Sequence, residues 1–275
     1  MTLNKEFWGE SVEGSLVAWF RQQRGAPGLE LHADRGVIWI VHPGVAWGNA
    51  AAGLRLGEEN IDRCLDQMIG RYRENGRGAG FWLSALATPA SLREALARRG
   101  FRCRKHFPGM FCDLSRRQAL PPLPAGMAIV PVEDHSIFRR TPHPYFGHIT
   151  TPIRRFELAR LAHLASQRPR RVWEFAATLA GVPVGVGTIC LGPRVAGVFD
   201  VGVLPDHRGR GIGTALVGHL CAFARERGMS GATLIATGMG EGVYRRAGFE
   251  EVCKMSYWYS SLGKHRFRSL RRWRV

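Results

Sequence analysis

The chain has 275 residues, of which 45% are hydrophobic, so its composition excludes a disordered protein and its length favours two domains. The formal net charge of +17 at pH 7 indicates either arginine-rich codon usage or a surface that attracts phosphates, acidic proteins or nucleic acid. No segment approaches 18 consecutive apolar residues, and the first residues lack a signal-peptide pattern. We therefore expect no membrane span and a soluble, cytoplasmic protein.

The six cysteines form no C-x-x-C pair, and no histidine stands at a zinc-like spacing from two of them. They therefore predict buried thiols in a reducing compartment and no metal site.

The first part of the chain, residues 1–119, predicts a folded domain in which helices and strands alternate. Its predicted elements are a helix carrying Val12, Leu16, Trp19 and Phe20, a strand at 37–41, a helix carrying Ile61, Leu65, Met68, Ile69 and Tyr72, a strand at 80–83, a helix with a capping box at Ser91 and Glu94 that ends at Gly100, and a strand at 107–114.

Residues 120–126 read Leu-Pro-Pro-Leu-Pro-Ala-Gly, and three prolines in four positions hold a chain extended. This segment predicts a linker to a second domain at 127–262, which a basic tail at 263–275 follows.

The second domain predicts an α/β (α+β) fold with a mixed sheet, because strands alternate with helices and hairpins occur at one end. Its predicted elements are a strand at 127–130, a proline-broken helical region at 133–167, strands at 172–180, 184–191 and 195–203, a helix carrying Ile212, Leu216, Leu220 and Phe223, a strand at 232–236, a short helix around Tyr244 and a strand at 249–259. A weak similarity between residues 95–101 and 244–249 indicates either a fold shared by both halves or chance.

A glycine-rich turn, Arg208-Gly209-Arg210-Gly211-Ile212-Gly213, joins a buried strand to a helix. Alternate glycines let consecutive backbone N–H groups face one anion, and the helix start adds unpaired N–H groups and a positive dipole end. Arg208 and Arg210 add mobile positive charge. The turn matches neither the Walker pattern nor the dinucleotide-binding spacing. A diphosphate is the ligand that it suits best.

Two motifs resemble those of the GNAT N-acetyltransferases. The pattern V-x-P-x-x-R-G-x-G-I-G-x-x-L at 203–216 is similar to the acetyl-CoA signature of that family, and Y-R-R-A-G-F-E at 244–250 is similar to its C-terminal motif. The resemblance covers about residues 127–259. It implies two GNAT-like domains, each a mixed, mostly antiparallel sheet flanked by helices, the first of them degenerate. It also implies acetyl-CoA as co-substrate and no metal.

The resemblance implies a set of residues for binding the co-substrate. Backbone groups of the turn would hold the diphosphate, and the preceding strand would pair with the pantetheine arm. The implied residues are Val201, Val203, Arg208, Gly209, Arg210, Gly211, Ile212, Gly213 and Thr237. Thr237 stands where many family members carry asparagine, which leaves the acyl-chain preference open and predicts a flexible loop with Gly238 and Gly240.

The implied chemistry is direct transfer of an acetyl group to an amine, with Tyr244 as general acid. A packing role is the alternative for Tyr244. The general base stays open between Asp200, which is predicted on the opposite strand face from Val201 and Val203, the loop histidines His143 and His148, and a chain of water molecules.

The sequence leaves the acceptor open between a small-molecule amine and a protein amine, and it leaves the oligomeric state open. A non-catalytic GNAT module that senses acyl-CoA or binds a partner is the alternative function. The tail at 263–275 is either a solvated end or a nucleic-acid contact through interleaved arginines and aromatic residues.

Overall fold

The computed structural model describes residues 5–34, 36–42, 49–76, 78–116, 123–138, 143–145 and 151–262. His148, linker residues 120–122 and the basic tail lie outside these ranges. Contacts divide the chain into two compact units, and the division falls between Gly109 and Met110. The first unit also includes residues 252–262, and the second ends at Glu251. The ranges 1–119 and 127–262 remain predictions of the domain limits.

The first unit is a mixed sheet with helices against it. Its elements are α1 (Lys5–Gln22), β1 (Glu30–Asp34), β2 (Val37–Val41), β3 (Ala50–Ala52), a 3-10 helix (Glu58–Asn60), α2 (Ile61–Glu74), β4 (Ala79–Leu83), α3 (Leu92–Arg98), β5 (Arg102–Asp113) and β11 (Glu250–Ser260). The strand order is β1-β2-β3-β4-β11-β5, with β3 and β4 parallel and the pairs β1–β2, β2–β3 and β4–β11 antiparallel.

The core of the first unit covers both faces of β2. Every residue of β2 is buried. Val37, Trp39 and Val41 join the cluster formed with α2 and α3, while Ile38 and Ile40 are buried outside that cluster, on the strand face where alternation places them. A strand covered on both faces needs a continuous apolar run, and this explains the sequence Val-Ile-Trp-Ile-Val.

The sequence predicted how α3 begins and how it ends, and only the predicted end is confirmed. The capping box is wrong: Ser91 has helical backbone angles, and its hydroxyl donates to Glu58 Oε1 at 2.6 Å instead of capping the helix. The end at Gly100 is confirmed, because Gly100 has a φ of 82° and the N–H of Phe101 donates to the carbonyl of Leu96 at 3.0 Å.

The second unit contains helices and a sheet of five strands, which the end of β5 extends. Its elements are β6 (Met127–Pro131), a 3-10 helix (His135–Phe138), α4 (Thr151–Ser166), β7 (Val172–Leu179), β8 (Val182–Leu191), β9 (Val195–Val203), a 3-10 helix (Pro205–His207), α5 (Ile212–Glu226), β10 (Gly231–Ile235) and α6 (Gly238–Arg246). The strand order is β5-β10-β9-β8-β7-β6, antiparallel from β6 to β9 and parallel between β9 and β10. The predicted α/β class with a mixed sheet is confirmed.

Helix α5 fixes the position of the glycine-rich turn because its apolar face is buried against the sheet. Leu216 and Leu220 are fully buried, and Val217 packs with Ile189 and Val198 of the neighbouring strands. The turn therefore stands at the end of a helix that cannot rotate without exposing this face.

The prediction that the cysteines are buried thiols is only partly correct. All six are free, but Cys103 is exposed and only Cys112 and Cys190 are buried. Among the helices in the described part of the chain, none is both long and apolar enough to cross a membrane.

We predict that Tyr72→Phe raises the free energy of unfolding by about 1 kcal/mol. Tyr72 is fully buried, and its hydroxyl has no hydrogen-bond partner among the described residues. Its ring packs edge-on against Trp39 and Phe81, contacts that phenylalanine keeps. Urea unfolding measures the change. Phe81→Leu is the control and should lower stability by leaving a cavity; a loss of stability in Tyr72→Phe would contradict the prediction.

Candidate active site

The glycine-rich turn leads into the start of α5, where the first backbone N–H groups have no partner within the helix. Gly209 and Gly211 have φ angles of 75° and 79°, which side chains rarely adopt, and a Cβ at either would meet nothing within 4 Å. The first hydrogen bond of α5 runs from the N–H of Ala215 to the carbonyl of Gly211 at 3.0 Å. The N–H groups of residues 212–214 therefore have no acceptor within the helix, and a helix start of this kind is typical of anion-binding sites.

The other residues of the turn have more specific positions than the sequence indicated. Arg208 is exposed, but its Nε donates to the carbonyl of Val203 at 3.0 Å, so its charge is tied to the strand end rather than mobile. Gly213 lies in α5, where a Cβ would approach Val243 of α6 to 3.4 Å, so this glycine serves helix packing. Arg210 is exposed and Ile212 is buried.

Strands β9 and β10 separate beside this turn. Their parallel pairing ends at Thr233 and Gly197, whereas β9 continues to pair with β8 as far as Val203. The β8–β9 register shifts between Val186 and Thr188, and opposite this shift Asp200 has a φ of 51°. Such an irregularity bends a strand and breaks the alternation of its side chains. It leaves half-buried β9 residues, Val201 and Val203 among them, beside a wedge between two strands.

Tyr244 lies at one side of this wedge on α6. Its ring packs against Gly240, where a Cβ would lie 2.6 Å from the tyrosine, and edge-on against Phe249 at 6.2 Å. Burial and then the charge of Asp200 raise the pKa of Tyr244 to about 12. The phenol therefore stays protonated across the neutral range, and it is a weaker acid than an ordinary tyrosine.

Thr237 begins α6 rather than a loop. Its carbonyl accepts from the N–H groups of Gly240 and Glu241, at 2.9 and 3.0 Å, while its hydroxyl makes no capping hydrogen bond. Gly238 and Gly240 lie inside the helix. The expectation of a flexible loop is therefore corrected, and the hydroxyl of Thr237 is not used by the helix.

Asp200 belongs to a group of buried charges that the sequence analysis missed. Arg160 of α4 lies with its Nη2 3.8 Å from Asp200 Oδ2, and its Nε donates to Glu157 Oε2 at 2.8 Å. Burial raises the pKa of Asp200 to about 6; Arg160 opposes this rise, and Glu157 adds to it. A carboxyl with this pKa is ionised at neutral pH and still accepts a proton readily.

His143 is held by both of its ring nitrogens. Its Nε2 lies 3.1 Å from Glu174 Oε1, and its Nδ1 accepts the N–H of Tyr145 at 3.2 Å. His135 approaches the other oxygen of Glu174 at 3.0 Å. Because Nδ1 is an acceptor, Nε2 carries the proton, and the ring has no lone pair left for a substrate. This geometry favours a positioning role for His143 over that of a base.

The segment that His143 begins is packed directly on the bent strand. A Cβ on Gly202 of β9 would lie 2.6 Å from Tyr145 Cα and 2.7 Å from the carbonyl oxygen of Pro144. Burial and the nearby charge of Asp200 raise the pKa of Tyr145 well above its usual range. Asp200, Tyr244 and Tyr145 are thus brought together around β9. Within the described ranges, no group of three or more histidine, cysteine or carboxylate side chains is placed to hold a metal ion.

Comparison with known proteins assigns this region to a family. The model of the acetyltransferase (GNAT) family matches residues 136–249, which include β9, the turn, α5 and Tyr244. This segment therefore carries the sequence pattern of the GNAT acetyltransferase family. No sequence relative among the curated proteins matches.

Solved structures with the same fold extend over both units. A GCN5-related N-acetyltransferase from Kribbella flavida has a TM-score of 0.60 at 17% identity, covering 90% of this chain and 95% of that chain. One from Sphaerobacter thermophilus has a TM-score of 0.61 at 17% identity, covering 94% and 90%. A tandem GNAT protein from the clavulanic acid biosynthesis pathway has a TM-score of 0.59 at 14% identity, covering 92% and 97%. At these identities the likeness concerns the fold, and it supports the tandem arrangement.

We predict that Glu174→Gln lowers the free energy of unfolding at pH 7 by about 3 kcal/mol, because it leaves a buried polar network incompletely paired. His135 and His143 outweigh the effect of burial and lower the pKa of Glu174 from 4.5 to about 2. A lowered carboxyl pKa stabilises the fold above pH 4.5, and this stabilisation disappears as the pH falls toward 2. The difference between variant and wild type should therefore shrink below pH 4.5.

Denaturant unfolding at several pH values measures this difference. Glu133→Gln is the matched control, because Glu133 is 66% exposed and pairs with Arg170 at the surface. It should change stability by less than about 1 kcal/mol. Equal effects of the two substitutions would contradict the prediction.

Proposed function

We propose that the second unit is an acetyl-CoA-dependent N-acyltransferase, which transfers an acetyl group directly from CoA to an amine. The proposal rests on two neighbouring features of the second unit, the wedge between β9 and β10 and the glycine-rich turn. The wedge between β9 and β10 adjoins the start of α5, whose first N–H groups have no acceptor within the helix, so a strand-like arm and a diphosphate can be bound side by side. The family match over residues 136–249 supports it.

The described residues fit the co-substrate. The turn at Gly209–Gly211 is open to a ligand, and the positive end of α5 favours a diphosphate. Val201 would offer its backbone groups to the pantetheine arm. Val203 would offer only its backbone N–H, because its carbonyl already accepts a hydrogen bond from Arg208. Thr237, with a hydroxyl that the helix does not use, would donate a hydrogen bond where many family members use asparagine.

Asp200 is the general base that the geometry favours. An amine must lose its proton before it attacks a thioester carbonyl, and Asp200 accepts that proton with a pKa of about 6. A backbone N–H of β9 stabilises the oxyanion of the tetrahedral intermediate. When the C–S bond breaks, the sulfur becomes a thiolate, which takes up a proton.

Tyr244 donates to the departing sulfur. A phenol with a pKa of about 12 is protonated throughout the neutral range, but it gives up its proton only as charge develops on the acceptor. Its contribution is therefore a hydrogen bond that becomes a proton transfer as the C–S bond breaks.

Binding of acetyl-CoA should require the open turn. We predict that Gly211→Glu weakens binding at least about ten-fold in calorimetric titration, because a carboxylate repels the diphosphate and blocks the N–H groups. Gly228→Glu is the control: Gly228 follows α5, has a φ of 78° and also faces open space, so strain and charge are matched. Equal affinity in wild type and Gly211→Glu would reject the site.

Turnover should require the hydroxyl of Tyr244. We predict that Tyr244→Phe keeps acetyl-CoA binding but lowers turnover about ten-fold or more, because the ring contacts remain and only the donor is lost. CoA release across a panel of amines, followed with a thiol reagent, measures turnover. The control is Tyr257→Phe, another partly buried tyrosine, which packs against Trp82 in the first unit. Unchanged turnover in Tyr244→Phe would remove Tyr244 from the mechanism.

The same assay separates an enzyme from a sensor. Acetyl-CoA binding without turnover on any amine would favour the alternative, a non-catalytic module that senses acyl-CoA or binds a partner.

A further inference from the structure

Helix α4 places a buried arginine behind the bent part of β9. Arg160 and Glu157 lie one turn apart on the helix, and their side chains are 6% and 1% exposed. Asp200 faces them from β9 with 15% of its side chain exposed. Charged side chains are rarely buried to this degree unless they are paired, so the three must be explained together.

The two carboxylates contact Arg160 differently. Glu157 accepts a hydrogen bond from Nε at 2.8 Å. Asp200 is 3.8 Å from Nη2, which is beyond hydrogen-bonding distance, and its Oδ2 has no hydrogen-bond partner among the described residues. Arg160 therefore stabilises the charge of Asp200 through space and leaves the lone pairs of Oδ2 available for a proton.

We propose that Arg160 is a positioning residue that keeps Asp200 ionised and ready to accept the proton of the amine, and that Glu157 holds Arg160 in place. This inference rests on the proposed acyl transfer. It assigns a task to two residues of α4 that lie outside the glycine-rich turn and the Tyr244 motif.

The charges around Asp200 determine the direction of each effect. Arg160 and Glu157 face it from α4, Glu174 from β7, His143 and Tyr145 from the segment on Gly202, and Tyr244 from α6. Burial is the largest influence and raises the pKa of Asp200 to about 6; Arg160 lowers this pKa, and Glu157 and Glu174 raise it. Removing Arg160 therefore raises this pKa, and removing the charge of Glu157 lowers it.

A base acts when it is deprotonated, so activity rises as the pH passes upward through its pKa. Arg160→Met should move the acidic limb of the kcat/KM profile to higher pH by about one unit or more. Glu157→Gln should move the limb to lower pH. Arg160→Lys keeps the positive charge and should leave the limb close to that of wild type.

Direct titration of the Asp200 carboxyl tests the inference without turnover. Protein labelled with ¹³C at aspartate carboxyls is followed by NMR against pH, with Asp200→Asn assigning the resonance. The midpoint should rise in Arg160→Met and fall in Glu157→Gln. If Arg160 and Glu157 had only a structural role, their substitutions would not shift the midpoint in opposite directions.

An unchanged midpoint in folded Arg160→Met overturns the inference. If Arg160→Met does not fold, the Glu157→Gln variant tests the inference instead. A midpoint of Asp200 that is unchanged or higher in Glu157→Gln overturns the inference as well. If the midpoints move as expected but the wild type acylates no amine, the relation between Arg160 and Asp200 stands and the proposed function fails.

Discussion

The early end of the pairing between β9 and β10 is the constraint on which the candidate site depends. The two strands pair only from Val195 to Gly197, and the sheet is then opened by the bend at Asp200. Unpaired backbone groups in a protein interior are unfavourable unless something else satisfies them. The strand edge left open beside the glycine-rich turn is therefore the part of the second unit where we propose that an extended ligand binds.

The site has opposite electrostatic character at its two ends. The turn combines the exposed Arg208 and Arg210 with the positive end of α5. The part behind β9 holds Glu157, Asp200 and Glu174 against Arg160, all of them largely or fully buried. An anionic acyl donor would thus face the positive turn, and a cationic acceptor would face the buried carboxylates, although the chain as a whole is strongly basic.

The local motifs were predictable from the sequence, whereas the buried charges were not. Val203, the turn and α5 follow one another in the chain, so spacing alone defines them. Glu157 and Arg160 stand three residues apart on a helix, a spacing typical of exposed ion pairs, and only the packing of α4 buries them. Strand β3 is a run of alanines, residues that strands generally avoid, so no pattern predicted it.

The place of β11 in the first unit has a consequence for biosynthesis. Its residues 256–260 pair with β4, and the strand lies between β4 and β5 in that sheet. These residues leave the ribosome about 150 positions after β5, at roughly 5–20 residues per second. The nascent first unit must therefore wait for several seconds with an incomplete sheet. Its sheet is therefore completed only after the second unit has been synthesised, although most of the first unit lies in the N-terminal part of the chain.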